Sequence, residues 1–293
     1  MKSIKLNLLL SAALMVISAA FFSCKKDQNQ EDNDTSDAAD NAFSQQCYND
    51  LGTMADEALR NGTSNAYKFT NPNSVLSLCA TLDLTSGTKV PYSVDGKDTI
   101  TVNFGTTNCL CNDGRYRRGM VQFTYTGPYR TTGTVITVTP LNYYVNDNSV
   151  QGNKTITNLG SGTGYYMRHS IAVNGTIVKS SANGGGTITW TANRTRDWVS
   201  GDTTFMWDDD VYHINGSASG SKVNGISYTS TITSPLVRKF DVNNPTCKKY
   251  FVQGTLNHQP DNKPVRTIDF GNGACDNIAT ITINGQVYTV QLH

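Results

Sequence analysis

The sequence predicts an all-β chain: a long antiparallel meander, forming a curved sheet, a barrel or a sandwich, with one N-terminal helix. Three observations predict it. Runs of Val, Ile, Thr and aromatic residues recur through most of the chain after residue 75, with polar turns between them. Asn-Gly, which readily supplies the two positive-φ residues of a type I′ hairpin turn, occurs at 174–175, 183–184, 215–216, 224–225 and 284–285. No strand–helix–strand alternation appears, so a parallel α/β sheet is not expected.

Taken in order, the chain opens on an export signal. Residues 1–5 hold Lys2 and Lys5 and no acid. Residues 6–22 are apolar except for Asn7, Ser11 and Ser18, and Ser23 then precedes Cys24. A basic start, an apolar middle and a small residue at the cut make residues 1–23 a signal peptide. The apolar run is short for a membrane span of about 20 residues. The stretch resembles bacterial lipoprotein signals, with Phe21 where their box usually has Leu. That resemblance implies that Cys24 becomes the acylated amino terminus. Three acyl chains, at about 0.8 kcal/mol per buried methylene, would anchor it permanently. Ser23-Cys24-Lys25-Lys26-Asp27 is similar to the corresponding string in lipoproteins of the Bacteroidota.

Residues 24–37 read as an acidic, solvated tether, with Asp27, Glu31, Asp32, Asp34 and Asp37 among Gln and Asn. Acids shortly after the anchor resemble the Bacteroidota signal for display on the outer face of the outer membrane. Surface exposure is therefore favoured over a periplasmic position. Residues 38–293 are left for the helix and an antiparallel β domain, a length ample for a core.

The helix is predicted over 36–61. Phe43, Cys47, Leu51, Met54 and Ala58 recur at helical spacing. Ser36 is placed to cap it, Asp37 and Asp40 suit the dipole, and Asn61-Gly62 stops it. Its Phe43/Leu51/Met54 face is expected to pack against one end of the sheet. Strands are predicted at 89–94, 99–104, 120–126, 135–139, 154–158, 170–180, 186–192, 211–219, 226–233, 250–256, 265–270, 279–283 and 287–292.

A duplication runs through the β region. Thr101-Val102-Asn103-Phe104-Gly105 with Cys109 matches Thr267-Ile268-Asp269-Phe270-Gly271 with Cys275, and Cys79 and Cys247 precede the two units at similar distances. Seven cysteines less Cys24 leave an even set, which in an exported chain reads as disulfides. A shared plan pairs Cys79 with Cys109 and Cys247 with Cys275. Cys47 and Cys111 are then left to each other, although Cys109 and Cys111 are interchangeable on this reasoning.

Over most of its length the chain resembles a group of uncharacterised exported lipoproteins of the Bacteroidota. The residues that carry this are 112–119 (Asn-Asp-Gly-Arg-Tyr-Arg-Arg-Gly), 124–127 (Thr-Tyr-Thr-Gly), 143–146 (Tyr-Tyr-Val-Asn), 193–198 (Asn-Arg-Thr-Arg-Asp-Trp) and 269–277 (Asp-Phe-Gly-Asn-Gly-Ala-Cys-Asp-Asn). The resemblance implies a shared fold and export route, and no activity.

Chemistry is sparse. His169, His213, His258 and His293 show no zinc spacing, and Cys109-Leu110-Cys111 lacks a second pair. No nucleophile elbow or phosphate-binding glycine loop occurs, so no catalytic residue, metal or cofactor is assigned. Asp208-Asp209-Asp210 reads as a solvated turn, because calcium loops space their ligands alternately. Arg115, Arg117 and Arg118 read as a solvated loop with a local carboxylate partner. Alternation places Trp190, Arg194, Arg196 and Trp198 on one face of a strand. Exposed, they would stack on sugar rings and are the candidate ligand-binding set. Buried, they would be core tryptophans with arginine stems at the rim.

The formal charge is +1, and cleavage removes Lys2 and Lys5, so the chain carries no electrostatic footprint for nucleic acid. The expectation is an envelope-anchored lipoprotein with a non-enzymatic binding or structural role. Its partners would be the membrane, through the anchor, and a glycan or another envelope component. The alternative is an envelope glycan hydrolase, whose carboxylate pair is a matter of spatial separation.

Overall fold

The computed structural model describes residues 32, 34–60, 76, 80–84, 98–204, 209–241, 244, 247 and 250–292. The signal peptide, Cys24, most of the tether, the strand expected at 89–94, Cys79, Asp208 and His293 lie outside the described residues. The unit Asn33–His293 begins with helix α1 (Ser36–Arg60). The strands follow: β1 (Thr81–Leu84), β2 (Asp98–Asn103), β3 (Cys109–Leu110), β4 (Tyr116–Tyr125), β5 (Val135–Val145), β6 (Asn148–Gly162), β7 (Tyr165–Val178), β8 (Thr187–Ser200), β9 (Val211–Ser221), β10 (Ser227–Lys239), β11 (Gln253–Pro260), β12 (Arg266–Asn272), β13 (Ile278–Ile283) and β14 (Gln286–Gln291).

They form one antiparallel meander in chain order, with short β3 hung on β4. Among the described residues β1 and β14 stay at opposite edges and no pairing closes the sheet. The all-β meander with one N-terminal helix is thus as the sequence predicts, in its open-sheet form.

Several strands outrun the sequence pattern. β6 was expected at 154–158 but starts at Asn148, because Gly152 (φ +101°) keeps its pairing with Gly175 where Gln151, Gly152 and Asn153 are all exposed. The Asn-Gly signal divides three ways. Asn284-Gly285 makes the expected two-residue turn, both residues at positive φ, with Ile283 opposite Gln286. Positions 183–184 and 224–225 sit in longer turns. Positions 174–175 and 215–216 lie inside β7 and β9, contrary to a turn reading. Gly175 is there for space: a Cβ on it would stand 1.8 Å from the Tyr48 hydroxyl, which donates to the Gln151 carbonyl at 2.6 Å.

α1 packs against β5, β6 and β8, the middle of the sheet rather than one end. Leu51 and Met54 are fully buried, while Phe43 is only half-buried. The helix is enclosed on nearly every side, so Asn41, Ser44, Asp50 and Asp56 are buried as well. Buried carboxylates require partners. The strands supply them at inward positions, as Arg117 on β4 and Arg196 on β8. The helix begins at Ser36 itself, so the residue expected to cap it is its first helical residue. Asp34, not Ser36, accepts from a free backbone N–H, that of Ser36, at 3.0 Å. Asp34 is also docked on Lys263 (2.8 Å) and Lys222 (3.3 Å), so the folded part reaches into the expected tether. The Lys263 hydrogen bond, then that of Ser36, holds its carboxyl well below the usual carboxylate range.

The duplication has a structural counterpart. In each unit an Asx side chain, Asn103 or Asp269, accepts from the N–H of a positive-φ glycine two residues on, Gly105 or Gly271, at 2.8 Å. Phe104 and Phe270 between them are buried. Cys247 is bridged to Cys275. Cys109 is disulfide-bonded, and Cys79, its expected partner, lies outside the described residues. The expected Cys47–Cys111 bridge is not formed: both are buried free thiols, and Cys111 Sγ donates to the Cys109 carbonyl. The staple between helix and loop is ionic instead, since Arg117 joins Asp50 of α1 to Asp113. Burial pushes the Cys47 thiol up to about 12 and also raises that of Cys111.

Candidate functional site

The first turns of α1 carry Ala38, Ala39 and Ala42. Opposite them stand Phe270, Ile281 and Val290, from β12, β13 and β14. Small side chains on the helix leave the aromatic and aliphatic faces unfilled, and an apolar cleft of about 260 Å³ results. Phe251 and Phe270 pack edge to face at 5.3 Å beside it. Its polar lining comprises the pair Asp40–Lys179 (3.4 Å), Thr35, Gln46, Tyr250 and Gln291, with Gln45, Asn49 and Arg238 besides.

Gln45, Asn49 and Arg238 also wall a second, inner cavity of about 30 Å³ between α1 and the middle strands. Its character is cationic. Lys154 of β6 and Arg194 and Arg196 of β8 line it beside Arg238, against one acid, Asp56, among the described residues. Asp56 is already engaged: Arg196 Nη1 donates to its Oδ2 at 2.5 Å and the Tyr129 hydroxyl to its Oδ1 at 2.9 Å. Lys154 Nζ donates to the Tyr48 carbonyl at 2.8 Å, an approach that Gly52 permits, since a Cβ there would lie 2.5 Å from the amine. That close approach explains a glycine inside a helix, where it costs about 1 kcal/mol against alanine. Arg194 Nη1 donates to the Gly216 carbonyl at 3.0 Å. Burial lowers Arg194 to about 10, and burial followed by the charge of Arg196 lowers Lys154 to about 7. The same two causes bring His169 down to about 3 and keep it neutral.

The four residues singled out in the sequence share the buried face, as alternation predicts. Trp190 and Trp198 are 3% and 0% exposed, so neither is available to stack on a sugar and both are core residues, as in the buried alternative, but Arg194 and Arg196 are buried with them instead of lying at a rim. Trp190 stacks on Tyr48 at 5.4 Å and donates to Asn41 Oδ1 at 3.1 Å. With Arg194 and Arg196 it lines the inner cavity, whereas Trp198 packs on Tyr212 and donates to the Ser200 carbonyl. Arg117 is not solvated but fully buried between two carboxylates, and Arg118 pairs with Asp147. Asp209 accepts from Thr204, while Asp210 is buried and accepts from Tyr212 at 2.6 Å. His258 is buried with Nδ1 2.8 Å from Ser230 Oγ.

Sequence reasoning missed Lys154, Arg238 and the alanines of α1. The available signal was the phase of β6, which sets Lys154 on the same face as Val150 and Ile156. Comparison with family models, with curated proteins and with solved structures gives no match.

Proposed function

We propose that this chain is a lipid-anchored envelope protein, held in the outer membrane through Cys24 and displayed outward, which binds a small, largely apolar ligand without altering it. The cleft between the alanine face of α1 and β12–β14 carries the reading. It is concave and its exposed lining is mostly apolar, with polar groups among it, the usual make-up of a small-molecule site. A glycan loses its support once the tryptophans are internal. A hydrolase would need two carboxylates across the cleft, and Asp40, tied to Lys179, is the one acid among the described residues lining it. The anchor rests on the pattern of residues 6–24.

Ala42→Trp tests the cleft by filling it. Nile red, an uncharged apolar dye, should bind the wild-type protein and lose at least tenfold in affinity to the variant, with thermal stability as the folding control. Equal binding by the two would refute the site. Cys24→Ala tests the anchor: the variant should take up no fatty-acid label and leave the membrane fraction, and a labelled variant would refute acylation at that residue.

A further inference from the structure

We infer that the inner cavity is an anion subsite of the cleft, and that the ligand is a single acyl chain ending in a carboxylate. This rests on the cleft reading above. The residue that points to it is Arg194. It is 6% exposed, and its Nε and Nη2 have no hydrogen-bond partner among the described residues. A buried donor without a partner is costly and rare in folded proteins. These two atoms form one edge of the guanidinium, the edge that grips a carboxylate with two parallel bonds. Arg168 uses that same edge on Asp197 in this protein, Nε to Oδ1 at 2.5 Å and Nη2 to Oδ2 at 2.6 Å.

Among the described residues lining the cavity no acid is left to fill the place, since Asp56 is taken by Arg196 and Tyr129. Lys154 and Arg238 add positive charge to the same walls. A cavity of about 30 Å³ holds a head group and little more. Because Gln45, Asn49 and Arg238 belong to both spaces, the rest of such a ligand extends into the apolar cleft. At about 260 Å³ that cleft suits one chain rather than a multi-chain lipid.

Titration calorimetry with decanoate, decanol and acetate separates head from tail. Decanoate should bind at least tenfold more tightly than decanol. Arg194→Gln should abolish that preference and leave decanol binding unchanged. Should that variant not fold, Arg194→Lys, which keeps the charge and loses the two-pronged edge, must weaken decanoate and spare decanol. Equal affinity for decanoate and decanol, or a preference that survives both substitutions, overturns the subsite and leaves the cleft standing. Failure of both long-chain probes overturns the cleft. Acetate then decides the subsite alone: a rise in melting temperature that Arg194→Gln removes supports it, and no rise in wild type overturns it.

Discussion

Arg117→Met should destabilise the fold by about 3–5 kcal/mol, the range for breaking a buried ion pair from one side. Arg117 is fully buried. Its Nη2 donates to both Asp50 oxygens at 2.8 and 2.7 Å and to Asp113 Oδ2 at 2.6 Å, and its Nη1 reaches Asp113 Oδ1 at 2.7 Å. Nε adds a bond to the Tyr143 hydroxyl at 3.2 Å. Methionine matches much of the side-chain bulk and leaves two desolvated carboxylates, with Arg115 3.3 Å from Asp50 and 3.7 Å from Asp113. Burial, the largest single influence, would raise the Asp113 carboxyl, but the charge and hydrogen bonds of Arg117 together with the charge and backbone N–H of Arg115 outweigh it and hold the group well below the usual range. The stability this carries is present above the ordinary pKa of about 3.8 and is withdrawn as pH falls below it. Urea unfolding at pH 7 measures the loss. Adding Asp50→Asn and Asp113→Asn should recover most of it, because the uncompensated charges then disappear. A single variant within 1 kcal/mol of wild type would refute this account of the staple.

That cluster also marks where sequence reading ends. Turns and alternation are local, so the meander, the helix and the Asn284-Gly285 hairpin were all legible. Charge pairing is not local: Asp50 meets Arg117 across 67 positions and Asp56 meets Arg196 across 140. An arginine on an inward position therefore looks like a rim residue until the helix is known to lie on it. The failed Cys47–Cys111 pairing has the same root. The duplication constrains only the cysteines it repeats, and elimination cannot see that ions already join helix to loop. The cleft was illegible for a different reason, since it comes from what small residues leave open at 38, 39 and 42. Whether the sheet closes depends on accumulated twist and bulges, which no single strand reveals.

Lys154→Met should stabilise the protein at pH 6 by about 2–3 kcal/mol, and the gain should vanish by about pH 9. Burial, then the charge of Arg196, lowers Lys154 from 10.5 to about 7. Arg238 acts in the same direction as Arg196, and Asp56 and Asp50 oppose them. Below pH 7 the amine is charged in both folded and unfolded states, so wild type bears the full penalty of a buried cation. Between about 7 and 10.5 the unfolded chain holds a proton that the folded protein has shed, and wild-type stability rises with pH through this window. Methionine removes that dependence, at the expense of one hydrogen bond to the Tyr48 carbonyl worth about 1 kcal/mol. Paired urea titrations at pH 6 and pH 9 read the difference between the two proteins, in which the other titrating groups largely cancel. A difference that does not change with pH, or a variant less stable than wild type at pH 6, would contradict a charge-penalised Lys154. A carboxylate seated beside Arg194 would offset the same penalty, so saturating decanoate should raise wild type toward the variant at pH 6 and have little such effect at pH 9.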